Sequence, residues 1–206
     1  MKNVLLYSTL TLSLLLVACG GGTAVKPTPA PGASAADKPV TPPKKGGGYY
    51  LDDGPGDNPP ANLDEIPDAT PKYEPLQNRF NRPYVALGEN YTPMAEHLPY
   101  KARGLASWYG KRYHGRKTST GEVYDMYGMT AAHTTLPLPS YARVTNPQNG
   151  RSVIVRINDR GPFIPGRLLD VSPRAAKKLG FRDQGLATVE VKVLSVGDGQ
   201  YKRKRR

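Results

Sequence analysis

Cysteine is nearly absent from the sequence: Cys19 is the only one in 206 residues. A single thiol cannot form an intrachain disulfide, so a folded domain of this chain must be stabilised by its core alone. Histidine is also scarce, and His97, His114 and His133 lack the spacing of a metal-binding motif such as HExxH. A disulfide framework is therefore excluded, a zinc enzyme is not favoured, and we expect neither a metal nor another cofactor.

The apolar stretch near the start, residues 4–17, follows the positive charge of Lys2 and is shorter than the about 20 residues that a transmembrane helix needs. It ends in Leu16-Val17-Ala18-Cys19-Gly20, an order that resembles the bacterial lipobox. The sequence therefore predicts a signal peptide over residues 1–18 and a lipid anchor on Cys19, with several acyl chains for stable membrane attachment. An ordinary secretory signal with a chance cysteine is the alternative.

Gly20 stands where lipoproteins retained in the inner membrane commonly have aspartate. The predicted location is therefore the inner leaflet of the outer membrane, facing the periplasm. The formal net charge is +12, and part of it lies in a basic tail, residues 197–206. An exported basic protein meets anionic lipid and peptidoglycan carboxylates rather than nucleic acid, so we expect no nucleic-acid partner. The tail can equally be a solvated end that aids solubility.

The amino-acid composition changes twice between the predicted anchor and the last part of the chain. Residues 19–80 are rich in proline, glycine, alanine and aspartate with little apolar periodicity, which favours a long disordered tether. An extended proline-rich chain rises about 3.1 Å per residue, so the tether could reach on the order of 150 Å into the cell wall. Residues 81–101 contain aromatic and apolar side chains again and are predicted to form an ordered flank.

Residues 102–196 have the pattern of one compact all-β domain. The β-branched segments 142–145 and 152–157 are joined by an Asn-Gly turn, which indicates a hairpin. Apolar and polar residues alternate over 187–193, as a half-buried strand requires. Ser172 can cap one short helix that ends near Gly180. Short strands with a single short helix predict a small closed barrel.

Several polar and aromatic residues of this domain suit carbohydrate chemistry. Trp108 stands beside glycine-rich turns and could stack on a sugar or pack in the core. Glu122 lies in a loop of small hydroxyl residues, and Asp159 ends a strand before a Gly-Pro turn, with Arg160 alongside. Asp170 has apolar neighbours, and burial would raise its pKa, as a general acid needs. Alone, each carboxylate could instead be a turn former, a buried anchor or a solvated charge.

A set of short motifs follows in a fixed order along residues 82–170. They are Arg82-Pro83-Tyr84, Gly104-Leu105-Ala106-Ser107-Trp108-Tyr109-Gly110, Tyr113-His114-Gly115-Arg116, Thr120-Gly121-Glu122, Met129-Thr130-Ala131-Ala132-His133-Thr134-Thr135-Leu136-Pro137, Val144-Thr145-Asn146, Asn149-Gly150-Arg151, Ile157-Asn158-Asp159-Arg160-Gly161-Pro162-Phe163, and Gly166-Arg167 up to Asp170. With the tether and the lipobox, this set resembles the rare lipoprotein A (RlpA) family of lytic transglycosylases over most of the mature chain.

The resemblance implies a six-stranded double-psi β-barrel, a fold shared with expansins. It also implies an enzyme that cuts peptidoglycan glycan strands between N-acetylmuramic acid and N-acetylglucosamine, prefers naked strands without stem peptides, and leaves 1,6-anhydro ends. The residues that we predict to be catalytic are Glu122, Asp159, His133 and Asp170, and those that we predict to bind substrate are Trp108, Tyr109, Thr118 and Arg160.

The roles within this set stay partly open. Asp159 or Glu122 would be the general acid and base, and the other would stabilise positive charge at the sugar C1. His133 would orient a carboxylate or the substrate, or would be a structural histidine. Many family members have a C-terminal SPOR domain, which this sequence lacks, so septal targeting is not predicted. A monomer is expected, with cell-division proteins as candidate partners. The rival function is a non-catalytic, expansin-like peptidoglycan-binding lipoprotein.

Overall fold

The computed structural model describes residues 53–56 and 58–195. The predicted signal peptide 1–18, the lipidated Cys19, the first part of the tether and the basic tail 197–206 lie outside the described residues. Within the described part of the chain, no helix has the length and the apolar character needed to span a membrane.

Eight strands and one helix form the described structure, with a closed six-stranded barrel at its centre, as the sequence predicts. The barrel order is β3-β7-β4-β6-β5-β8, in which β3 with β7 and β4 with β6 are parallel and the other pairs are antiparallel. The elements are β1 (Tyr84–Ala86), β2 (Glu89–Tyr91), β3 (Lys101–Trp108), β4 (Thr130–Ala132), β5 (Ser140–Thr145), β6 (Ser152–Asp159), β7 (Arg167–Val171), α1 (Pro173–Leu179) and β8 (Ala187–Val193).

The barrel core is built from alternate residues of the strands. In β6, Val153, Val155 and Ile157 are buried, and in β8 Val189 and Val191 are buried. All five belong to one apolar cluster inside the barrel. Because side chains alternate between the two faces of a strand, the residues between them point outward, where function can use them.

The helix α1 follows its sequence signals closely. The Ser172 hydroxyl accepts a hydrogen bond from the backbone N–H of Ala175, Pro173 occupies the first turn, and Gly180 ends the helix with φ of 78°. That left-handed conformation is one that glycine adopts without strain. The helix packs its apolar side on the barrel core.

Residues 62–81 form an upstream strap that lies on the barrel. The backbone N–H of Ala69 donates to the Ile154 carbonyl at 3.0 Å, and Ala69 packs against the barrel core together with Ile66 and Phe80. The predicted tether, residues 19–80, is therefore too long at its C-terminal end. The strap has no core of its own and no regular period, and it is ordered by contacts with the barrel that the local sequence does not reveal.

Charged pairs hold the strap to helix α1. Asp64 lies 2.7 Å from the Lys177 ammonium, and Asp68 lies 2.5 Å from that of Lys178. The buried Arg174 donates to the carbonyl oxygen of Asp64 at 3.0 Å. These pairs fix the strap beside β6, where the candidate site begins.

Candidate active site

Two of the predicted carboxylates lie at the same level of the barrel, on neighbouring strands. Ala132 of β4 is in register with Asp159 of β6 on one side and with Asp170 of β7 on the other. Strands are spaced about 4.8 Å apart, so the two aspartate Cα atoms are about 10 Å apart. Leu169 and Val171 point into the core, and Asp170 between them therefore points outward.

Asp159 is held by only one of its two carboxylate oxygens. Its Oδ1 accepts hydrogen bonds from the Ser119 backbone N–H at 2.8 Å, from the Ser119 hydroxyl at 2.6 Å and from the Arg160 backbone N–H at 2.8 Å. Its Oδ2 accepts no hydrogen bond from any described residue. The side chain is thus fixed in direction and keeps one oxygen for a substrate.

Glu122 is bound by Arg156 and Asn158, both on β6. The Arg156 guanidinium donates to its two oxygens at 2.6 and 2.8 Å, and the Asn158 amide donates at 3.0 Å. Burial raises the pKa of Glu122, but the hydrogen bonds from Arg156 and Asn158 outweigh it, and the net pKa lies below the ordinary value. Glu122 is therefore ionised at neutral pH and lies 43% exposed at the surface of the site.

The loop of residues 117–123 brings Glu122 and Asp159 into one site. Ser119 bonds to Asp159, and Glu122, three residues later, bonds to Asn158, the neighbour of Asp159. Gly121 allows the tight turn between them with φ of 83°. Both carboxylates therefore sit at the C-terminal end of β6.

Thr118, predicted to bind substrate, is buried in this loop instead. Its hydroxyl lies 2.9 Å from that of Thr120, and its backbone N–H donates to the Glu122 carbonyl at 2.7 Å. These contacts shape the loop and leave the Thr118 side chain no access to a sugar.

Asp170 lies at the other end of the row and has the opposite electrostatic character. Its side chain is 16% exposed, and it accepts a hydrogen bond from the Ser107 hydroxyl at 2.5 Å. Burial raises the pKa of Asp170, although Ser107 and the Arg167 guanidinium at 3.4 Å oppose that rise. The direction is the one that the sequence predicted for a buried aspartate.

His133 is enclosed, with its ring fully bonded. His133 is only 2% exposed. Its Nδ1 accepts from the backbone N–H groups of Thr135 at 3.0 Å and Leu136 at 2.9 Å, and its Nε2 lies 3.2 Å from the Tyr100 hydroxyl. Burial, assisted by the positive charge of Arg160, lowers the pKa of His133 to about 4. The ring is therefore neutral at pH 7, with the hydrogen on Nε2 donated to Tyr100.

The His133 side chain does not orient a carboxylate in this structure. Among the described residues it makes no hydrogen bond to Glu122 or Asp159; only its backbone N–H donates to the Asp159 carbonyl, at 3.1 Å. The histidine thus supports the end of β6 through its main chain. The structural role that the sequence left open fits these contacts.

Tyr109 is buried, and Trp108 is partly buried against the barrel core. The indole N–H of Trp108 donates to the Arg182 carbonyl at 2.9 Å, and its ring packs against the barrel core. Tyr109 is buried and stacked on Tyr124, with ring centroids 4.3 Å apart. Of the two roles considered for Trp108, core packing is therefore the one observed.

Tyr109 also lies behind the carboxylate row. Burial raises its pKa well above the ordinary value, and the negative charges of Asp159 and Asp170 add to the rise. The Tyr109 hydroxyl is therefore neutral at pH 7.

Arg160, predicted to contact the substrate, is a structural arginine. Its guanidinium donates to the carbonyl oxygens of Leu136 at 2.6 Å and Phe80 at 2.9 Å, and to the Asn81 side-chain oxygen at 2.9 Å. It also donates to the carbonyl of His133 at 3.2 Å. It therefore joins the strap to the turn after β4, and burial lowers the pKa of Arg160 to about 10.

Replacing Arg160 by methionine is expected to lower the free energy of unfolding by about 3 kcal/mol, because its backbone and side-chain acceptors lose a charged donor. Arg82→Met is the control. Arg82 is exposed in the flank of residues 81–101 and makes no side-chain hydrogen bond among the described residues, so this change should alter stability by less than about 0.5 kcal/mol. Urea unfolding followed by circular dichroism measures both. Equal losses for the two variants would contradict the structural role of Arg160.

Sequence reasoning missed the residues that hold the carboxylates. Glu74 of the strap accepts from Arg156 Nε and Nη2, both at 2.7 Å, and from the Tyr141 hydroxyl at 2.6 Å. Arg156 thus bridges Glu74 and Glu122. In the sequence, only the strand alternation pointed to Arg156. Because Val155 and Ile157 are buried, Arg156 between them faces the outside of the barrel.

Two grooves flank the carboxylate row. The first, which we call the glutamate groove, has a volume of about 560 Å³, and the second, which we call the hairpin groove, about 430 Å³. The glutamate groove is lined by Ala69, Thr70, Lys72, Glu74, Glu122, Tyr141 and Arg156. The hairpin groove is lined by Leu87, Glu89, Tyr91, Thr134, Pro162, Phe163, Ile164, Pro165, Gly166 and Arg167.

The arrangement is suited to acid–base chemistry on an extended polymer. One carboxylate is fixed with a free oxygen, one is held ionised, and a third is buried with a raised pKa. Grooves extend on both sides. Within residues 53–56 and 58–195, no cluster of histidine, cysteine, aspartate and glutamate could hold a metal ion.

The closed six-stranded barrel, with its parallel pairs β3–β7 and β4–β6, places this chain in a known class of β-barrel domains. Residues 101–191 match the family model DPBB_1, described as lytic transglycolase. The barrel domain of this chain is thus similar to that family over residues 101–191, and its fold is the double-psi β-barrel that the resemblance implied.

Individual proteins that are similar to this chain give a more specific comparison than the family model. It is 47% identical over 151 residues to the endolytic peptidoglycan transglycosylase RlpA of Vibrio cholerae serotype O1, covering 73% of this chain and 57% of that protein. It is 54% identical over 131 residues to the protein of that name from Pseudomonas aeruginosa UCBPP-PA14, covering 64% of this chain and 38% of that protein. For the protein from Neisseria meningitidis serogroup B, the identity is 55% over 130 residues, covering 63% and 54%. The chain thus spans between about a third and three fifths of these relatives.

Proposed function

We propose that this protein is a lytic transglycosylase that cleaves the β-1,4 bond between N-acetylmuramic acid and N-acetylglucosamine in peptidoglycan and leaves 1,6-anhydro ends. The observation that carries the proposal is the pairing at the end of β6: Asp159 with one free oxygen, beside an ionised Glu122. The names of the RlpA relatives support the same reaction class.

In the first step, the Asp159 carboxyl group donates a proton to the glycosidic oxygen. The bond between that oxygen and C1 of the muramic acid breaks, and its electron pair goes to the oxygen. Positive charge develops at C1. In the second step, the Asp159 carboxylate takes the proton of the C6 hydroxyl of the same sugar, whose oxygen closes the ring on C1. No water is consumed, so the single aspartate serves as acid and then as base.

Glu122 suits the other role better than proton donation. Arg156 and Asn158 keep it ionised, so its negative charge can stabilise the cation at C1. Because these bonds also fix its direction, little reorganisation is needed during the reaction. Asp170, which lies two strands away and is held by Ser107 and Arg167, is assigned to the positioning of the neighbouring sugar.

The setting of this activity follows from the sequence. A lipid on Cys19 would hold the protein at the inner leaflet of the outer membrane, and the tether would let the barrel reach the cell wall. A preference for naked strands and an association with cell-division proteins are part of the proposal. The cleavage and the strand preference are tested on the protein without its signal peptide and Cys19.

The protein from residue 20 onward is incubated with peptidoglycan that was stripped of stem peptides by an amidase, and with untreated peptidoglycan. We expect soluble products with 1,6-anhydro-muramic ends, identified by mass spectrometry, and faster release from the stripped material. Hydrolysed, reducing muramic ends would contradict the mechanism, and equal rates would contradict the preference. Tight pelleting with the glycan and no soluble product would favour the non-catalytic, expansin-like binding protein.

A further inference from the structure

The hairpin groove is formed mainly by residues outside the barrel strands. The hairpin β1–β2 supplies one wall, and the segment between β6 and β7 supplies the other. Its volume of about 430 Å³ lies in the range of about 300–1,000 Å³ that is usual for ligand pockets. None of the residues predicted from the sequence as catalytic or substrate-binding lines it.

Three aromatic rings form a cluster at this groove. Tyr84 and Tyr91 are stacked with centroids 5.2 Å apart, and Phe163 lies 5.5 Å from Tyr91 and 6.1 Å from Tyr84. Tyr91 and Phe163 line the groove and are only partly buried. The rings thus support one another and present a rigid aromatic surface, which can stack on a sugar face at little entropic cost.

The rim of the groove is exposed and apolar. Leu87 is 81% exposed and Ile164 is 43% exposed. Polar side chains also reach it: Glu89 from the hairpin and Arg167 from β7. An aromatic wall with a few polar groups at its edge is the composition expected of a carbohydrate subsite rather than of a plain surface loop.

Two lining residues of the hairpin groove lie next to carboxylates of the candidate active site. Pro162 follows Asp159 by three residues, in the turn that ends β6. Arg167 lies 3.4 Å from the Asp170 carboxylate. The glutamate groove contains Glu122 on the other side of Asp159. Each groove thus has a lining residue that is, or that contacts or closely follows in sequence, a carboxylate of the site.

We propose that the hairpin groove binds an N-acetylated sugar ring of the glycan strand, stacked on Tyr91 and Phe163, next to the bond that is cut. The inference rests on the proposed function and adds its substrate-binding residues. Occupied grooves on both sides of the row place the reacting bond inside a strand rather than at its end. A second copy of this chain, docked on the apolar rim, is the competing occupant.

The test measures binding without cleavage, in an Asp159→Asn background. Affinity for soluble, peptide-free glycan strands of about ten sugars is measured by calorimetry, and thermal unfolding checks the fold. Tyr91→Ala is expected to weaken binding by about 5–10-fold, and Tyr91→Phe, which keeps the ring, by less than about twofold. Tyr73→Ala is the matched control, since Tyr73 is 53% exposed and lines neither groove.

Phe163→Ala provides a second variant in case the hairpin is disturbed, and the same loss is expected. Unchanged affinity in both alanine variants, with the fold intact, would overturn the inference. So would a concentration-dependent dimer, measured by sedimentation, that Tyr91→Ala or Leu87→Asp abolishes while glycan affinity stays the same. If the parent protein releases no anhydro products, the proposed cleavage fails, but these affinities still decide whether the groove binds glycan.

Discussion

Replacing Asp159 by asparagine is expected to lower kcat for glycan cleavage by about 10³-fold, while the protein keeps its fold and its affinity for glycan. The amide can keep the hydrogen bond to the Ser119 hydroxyl, whose rotor can adapt, but it cannot donate a carboxyl proton and then take one back. Removing a general acid and base costs about 10²–10⁴ in rate.

The rate is measured from the release of anhydro-muramic ends on stripped peptidoglycan, and affinity from calorimetry. Asp183→Asn is the matched control, because Asp183 is exposed and contacts Arg182 rather than the site. It should retain the parent rate within about twofold. If Asp159→Asn cuts as fast as the parent, Asp159 is not the acid, and the same measurement on Asp170→Asn would then examine the carboxyl with the raised pKa.

Local signals in the sequence were sufficient for the barrel. Alternating valines placed the core faces of β6 and β8, and the Ser172 cap with Gly180 placed helix α1 within a residue at each end. Each signal acts over a few residues and depends on backbone chemistry alone. The resemblance added the double-psi type of barrel, and the strand order is known only from the structure, since periodicity does not specify which strands pair.

The direction of side chains at the site was less predictable. Asp159 and Glu122 meet because a loop folds back on the end of β6, and the hydroxyl loop with its glycine turn hinted at this. His133 and Arg160 lie in equally polar motifs, yet their polar groups face backbone acceptors and donors of the turn after β4. Polar residues near a site can either react or hold it together, and only tertiary contacts separate the two roles.

The strap was the larger omission. Glu74 lies among prolines and charged residues with no apolar period, which is the composition of a tether. Glu74 is held in place by Arg156, which lies two positions before Asn158 on β6. The Arg156 guanidinium has more donors than Glu122 alone can accept, and the remaining ones bond to Glu74. The family match over residues 101–191 does not include this partner.

Arg156→Met is expected to lower the free energy of unfolding by about 2–3 kcal/mol at pH 7 and kcat by at least about tenfold. The methionine leaves Glu74 and Glu122 as two neighbouring carboxylates without the cation that joins them. Breaking a buried pair costs about 3–5 kcal/mol, and the smaller value here reflects the 43% exposure of Glu122. Glu122 keeps only the Asn158 bond and loses its fixed position. Arg143→Met, an exposed arginine on β5, is the control and should change neither quantity.

The pH dependence separates this electrostatic role from a loss of packing. Hydrogen bonds from Arg156 lower the pKa of Glu74 below its usual range; burial raises this pKa, and the hydrogen bond from Tyr141 lowers it further. The pKa of Glu122 is lowered as well. A carboxylate with a lowered folded pKa stabilises the protein above its ordinary pKa of about 4.5, and the gain is lost as the pH falls through the folded value. In urea unfolding at a series of pH values, parent and Arg156→Met should therefore differ most at neutral pH and converge as the pH falls below the ordinary pKa of about 4.5 and through the lower folded values. A stability gap that stays constant from pH 7 to pH 3 would show that Arg156 acts through packing alone.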